Sequence, residues 1–129
     1  MNFAGAAQAY ARVGVETGVE ASDPRRLVVM LYDGVLKCIH EARGHMQRGQ
    51  VADKGAAIGR ALRILQEGLV ASLNREAGGD IARQLEDLYD YVSRRLALAN
   101  LRNDTAALDE AARLLSELRG AWVSLDASR

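Results

Sequence analysis

Apolar residues recur at helical spacing along most of this chain and are densest between Ser22 and Met46, in SDPRRLVVMLYDGVLKCIHEARGHM. Two rows interleave there. Leu27, Leu31, Gly34, Cys38 and Ala42 form one, and Val28, Tyr32, Val35, Ile39 and Met46 form the other. A surface helix needs a single stripe about 100° wide. Two adjoining rows demand neighbours on more than one side, so the pattern predicts the central helix of a bundle. Asp23 suits the N-cap, and Pro24 suits the first helical position, where its missing N–H has no partner to lose. The charges Arg25, Arg26, Lys37, Glu41 and Arg43 fall on the remaining face, while Asp33 interrupts the apolar run.

Three more helices follow. After a turn at Gly49 the pattern resumes to about Asn74, with Ile58, Ala61, Leu62, Leu65, Leu69 and Leu73 on one face, widened by Ile64 and Ala71. Gly55, Gly59 and Gly68 are unusual inside a helix, where each costs about 1 kcal/mol relative to Ala. They read as close helix–helix approach, or else as a shallow groove for a partner. The glycines of Ala77–Asp80 break the chain. A third helix then carries Ile81, Leu85, Leu88, Val92 and Ala99 as its seam, with Tyr89 and Leu96 beside it. After a turn at Arg102–Asp104, Leu108, Ala111, Leu115, Leu118, Trp122 and Leu125 alternate by three and four, the spacing of an antiparallel bundle seam. The short connections make neighbouring helices antiparallel. The expected fold is therefore all-α: an antiparallel four-helix bundle over residues 22–129, a single domain, preceded by an N-terminal arm at 1–21. The arm mixes small residues with Phe3, Tyr10, Val13, Val15 and Val19, too little apolar surface for a core of its own.

Composition narrows the function. The formal net charge is +0, which offers no global field for nucleic acid or anionic lipid. The longest apolar run, Leu27–Tyr32, is far shorter than the ~20 residues a membrane-spanning helix needs. The N-terminus lacks the basic and apolar regions of a signal peptide, so the cytosol is the expected compartment. The single cysteine, Cys38, lies on an apolar row and reads as a small buried hydrophobe. His40 and His45 do not share a helix face, and the last two helices carry no histidine, so the Glu-x-x-His pairs of a bundle metal site are missing. Neither metal nor other cofactor is expected. Carboxylates are spread over solvent faces, and no nucleophile–base constellation marks an enzyme.

What remains is surface for another chain. Tyr32, Tyr89, Tyr91 and Trp122 are the large amphipathic side chains, a kind enriched at interfaces. Tyr89 and Trp122, on or beside seams, read first as core residues with one hydrogen-bonded tip. Tyr91 lies off its seam and reads as an interface residue. Tyr10, on the arm, is the strongest interface candidate.

Five blocks resemble one known family. They are QAYARV at 8–13, SDPRRLVVMLYDG at 22–34, GGDIARQLEDLYDYV at 78–92, ANLRND at 99–104 and LRGAW at 118–122. Their order and spacing are similar to those of the FliS flagellar secretion chaperones along nearly the whole chain. The resemblance implies an antiparallel helical bundle with a mobile arm that covers part of a cargo groove when cargo is absent. It implies a cytosolic protein that binds the disordered C-terminal segment of flagellin, prevents premature polymerisation and presents the cargo to the membrane protein of the flagellar type III export gate. It links the tyrosine aligned with Tyr10 to docking at that gate. The candidate cargo- or partner-binding residues are Tyr10, Val13, Leu31, Tyr32, Gly34, Tyr89, Tyr91, Asn100 and Trp122. The alternative is a bundle that uses its apolar faces for self-association as a homodimer, without cargo.

Overall fold

The computed structural model describes residues 24–127, with side chains to residue 124; the expected arm with Tyr10 and Val13, the cap at Asp23 and the side chain of Leu125 lie outside the described residues. Helix α1 is Pro24–Gln47. It ends in a Schellman motif: Gly49 takes a φ of 70°, Gln50 N–H donates to the His45 carbonyl at 2.9 Å, and Gly49 N–H to that of Met46 at 3.2 Å. These bonds satisfy carbonyls that a helix end leaves unpaired. Helix α2, Val51–Arg63, continues directly into a π-helical segment, Ile64–Val70. Helix α3 is Arg75–Arg102 and α4 is Thr105–Ala127.

The π segment has a packing reason. Ala57, Ala61, Leu65 and Leu69 are all buried. Steps of four residues drift about 40° per turn around a regular helix. A wider turn between Leu65 and Leu69 cancels part of that drift and keeps both leucines on the core.

Cross-helix pairs show each neighbour running antiparallel to the next. Glu41 faces Arg60 between α1 and α2. Gln66 donates to Ser93 from the π segment to α3. Arg95 pairs with Glu110 between α3 and α4, and Arg43 with Asp109 between α4 and α1. Helix α1 touches α2, the π segment and α4, while α3 touches the other sides of the same elements. So α1 is one corner of a square rather than a rod surrounded by others, and its wide apolar arc serves two flanks. Asp33 does not spoil that arc: it is exposed and pairs with Arg119 of α4 at 2.5 Å.

The core runs through Tyr32, Val35, Ile58, Leu65, Val92, Leu96, Leu108 and Leu115. Each such side chain contributes about 1.5–3 kcal/mol on burial. The ion pairs around it are partly or largely exposed and add at most about 1 kcal/mol each, so apolar packing decides the stability. In α3 the buried stripe is Ala82, Tyr89, Val92, Leu96 and Ala99. Tyr89 therefore belongs to the seam, and Ile81, expected there, is 68% exposed. The cause lies one turn earlier. Asn74 accepts from Ala77 N–H at 3.0 Å and caps a first turn, and Gly79, at φ 53° and ψ −123°, then breaks the helix. The chain restarts with Ala82 inward.

At the far end of α3, Asn103 adopts the left-handed conformation, φ 51° and ψ 44°. Asp104 then accepts from Ala107 N–H at 3.3 Å, capping α4. Lys54 of α2 is 4% exposed. Its ammonium donates to the Asn100 carbonyl at 2.9 Å and the Asn103 side-chain oxygen at 2.5 Å. A cation thus sits on the negative end of α3.

Candidate functional site

A groove opens at the end of the bundle where α1 begins, the π segment finishes, α3 begins and α4 ends. It holds about 230 Å³ and is lined by Val28, Ser72, Leu73, Asn74, Gly78, Ile81, Ala82, Leu85, Tyr89 and Trp122. Most pockets for free small molecules exceed about 300 Å³; this one suits one or two side chains of a longer ligand. Its lining is overwhelmingly apolar. The polar groups it does contain are already engaged: Ser72 Oγ donates to the Leu69 carbonyl at 2.9 Å. Ile81 stands at the lip as an exposed aliphatic side chain, placed there by the restart after Gly79.

Beneath the groove, Tyr32 of α1 and Tyr89 of α3 meet across the bundle, with hydroxyl bonded to hydroxyl. Their ring centroids are 6.4 Å apart and the planes tilt by 55°. Burial pushes the Tyr32 phenol above its ordinary value, against the opposing hydrogen bond from Tyr89. Burial, reinforced by Tyr32, pushes Tyr89 far higher still. Both phenols are therefore neutral at physiological pH, and the floor of the groove carries no charge.

The structure brings three of the sequence candidates together here: Tyr32, Tyr89 and Trp122. Leu31 is buried beside them on α1, its methyl groups against Gly68, and Gly34 is half-buried one turn on. Tyr91 lies elsewhere, on the α3–α4 face, where its hydroxyl donates to Glu110 at 2.8 Å. That bond raises the Tyr91 phenol and is the leading reason the Glu110 carboxyl lies below its usual range. Asn100 is at the opposite end of the bundle, its carbonyl engaged by Lys54. Sequence reading missed Val28, Leu73, Gly78, Ile81 and Leu85 as groove residues. The available signal was the Gly78-Gly79 pair just ahead of a large aliphatic residue. A second depression, lined by Gln66, Val70, Glu86, Asp87 and Asp90, is predominantly polar. Among the described residues no group of three His, Cys, Asp or Glu could hold a metal ion, and no helix is long and apolar enough to cross a membrane.

Fold and groove together define a four-helix bundle whose distinctive feature is a concave apolar surface open at one end. The chain belongs to the FliS family of flagellar proteins, whose model matches residues 6–129. It is 44% identical over 122 residues to the flagellar secretion chaperone FliS of Salmonella typhimurium, covering 95% of this chain and 90% of that protein. It is 42% identical to the flagellar secretion chaperone FliSB of Pseudomonas aeruginosa over 88% of this chain and 89% of that one. The FliS of Escherichia coli is 40% identical over 89% and 85% respectively.

Proposed function

We propose that this chain is a cytosolic flagellar secretion chaperone that holds the disordered C-terminal segment of flagellin and delivers it to the export gate. The observation that carries the reading is the apolar groove with Ile81 exposed at its lip, in a chain similar to named secretion chaperones across most of its length. An export segment that is disordered alone gains structure only by burying apolar residues on a partner. Ordering it consumes several kcal/mol of the gross interaction, so the contact must be large, of order 1,000–3,000 Å². The groove is then one anchor point along a longer wrapped path, taking an apolar anchor residue of a segment that turns helical as it binds.

Residues 1–21 act in this reading as an internal competitor for the cargo path, and Tyr10 as a contact to the export-gate membrane protein. The cycle has a physical logic. Apolar surface is shielded from water before cargo arrives, and cargo displaces the shield. Titration of the protein with a flagellin C-terminal peptide, followed by circular dichroism, tests the capture step: helicity is expected to exceed the sum of the parts. Ile81→Asp puts a charge where cargo needs an apolar contact. It is expected to weaken binding at least tenfold, the equivalent of about 1.4 kcal/mol, with little change in melting temperature because the site is exposed. Wild-type affinity in that variant would remove the groove from the cargo path.

A further inference from the structure

We infer that Arg25 is a polar anchor at the mouth of the groove: its guanidinium takes a carboxylate side chain that the cargo segment carries about one helical turn from its apolar anchor residue. This rests on the groove being a cargo contact, and adds to that reading a chemical requirement on the cargo.

Arg25 stands where its helix row calls for an apolar residue. It heads the row that continues through Val28, Tyr32, Val35 and Ile39 of α1, all of them buried. Val28 lines the groove. A residue three positions ahead of it shares its side of the helix, about 4.5 Å along the axis. Long helical side chains lean towards the N-terminus, so the Arg25 side chain runs from the row towards the open end of the bundle.

The residue is half-buried. Its Nη1 is buried without a hydrogen-bond partner, the one such side-chain nitrogen or oxygen found among the described residues. A guanidinium stays charged, and a buried N–H of a charged group left unpaired is costly. The arginines around this end already hold carboxylates: Arg75 holds Glu86, Arg83 holds Asp80, and Arg119 holds Asp33. Arg25 has no such partner. Its place in the first turn of α1 adds to the attraction, because the N-terminal end of a helix favours negative charge. A carboxylate matches the guanidinium fork with two parallel bonds. A helical segment laid along α1 presents side chains at the same one-turn interval. An apolar residue over Val28 therefore brings a carboxylate three or four positions away to Arg25.

Calorimetric titration of the full-length protein with the flagellin C-terminal peptide tests this. In Arg25→Met affinity is expected to fall ten- to a hundredfold, the range for hydrogen bonds to a charged group, and to depend less steeply on salt than in the wild type. The melting temperature of the free variant is expected to stay or rise, because an unpaired buried cation is removed. Peptides in which each Asp or Glu is replaced in turn by Asn or Gln identify the partner. One of them should bind the wild type more weakly and lose nothing further with Arg25→Met.

Wild-type affinity in Arg25→Met would overturn the proposal. So would a lower melting temperature, which would make Arg25 a support of the free fold. A loss reproduced only by amidating the peptide's C-terminus, or by no neutralised side chain, would overturn it too. Failure of the groove as a cargo contact looks different: Ile81→Asp then binds normally. Failure of the Arg25 contact alone leaves Ile81→Asp weakened and Arg25→Met unchanged.

Discussion

Lys54 shows how a single residue can serve a helix other than its own. A cation in the first turn of a helix opposes that helix's dipole, yet here it is buried, because its ammonium fills the carbonyl end of α3. Lys54→Met keeps the chain length and removes the donor, leaving the Asn100 carbonyl and the Asn103 amide oxygen without it. The expected loss is about 2–3 kcal/mol of unfolding free energy, the range for a buried bond to a charged group, read as a lower urea midpoint at unchanged slope. Nothing in the sequence marked this lysine, because a charge between Asp53 and Gly55 reads as solvated face until the partner helix is in place. The tyrosines were half legible. Their seam positions showed that Tyr32 and Tyr89 had apolar surroundings, but only the three-dimensional crossing of α1 and α3 puts the two hydroxyls together.

At the level of elements, the glycines of the second helix divide into two kinds. A Cβ at Gly68 would lie 2.7 Å from a methyl of the buried Leu31, whereas one at Gly59 would meet nothing within 4 Å. Gly68→Ala is therefore expected to destabilise by about 1–3 kcal/mol through overpacking. Gly59→Ala should stabilise by about 1 kcal/mol through helix propensity. Thermal unfolding of the two single variants, with opposite signs of shift, checks the contrast. The close-approach reading of these glycines holds at Gly68 and fails at Gly59. The same paired outcome runs through the helices. The α4 seam was readable at Leu108, Ala111 and Leu115 because its three–four alternation is unbroken. The α3 seam was misphased at Ile81 because alanine at position 82 is a weak hydrophobic signal and the restart at Gly79 resets the count. The π segment left no trace in the apolar spacing, since the extra residue per turn preserves the row of leucines.

The molecule as a whole has two unlike ends. One carries the tight turns at Gly49 and Asn103 and the buried Lys54 bonds. The other carries the groove, the break at Gly79 and the points where the chain enters at Pro24 and passes Trp122. An arm ahead of Pro24 would start beside the groove. On the proposed competitor role, deleting residues 1–17 should raise affinity for the flagellin peptide by the inverse of the open fraction. It should also raise aggregation of the free protein; unchanged binding and solubility would remove that role. This end was the least legible in the sequence, because four separate stretches build it and no one of them carries a motif for it.

That polarity has a practical corollary for anyone attaching something to this protein. A purification handle grafted directly onto Pro24 in place of residues 1–23 would begin its path next to the opening and compete for the same space as a ligand. A dye or immobilisation point in the Arg48–Gln50 turn would sit a full bundle length away, leaving the opening clear to report what enters it.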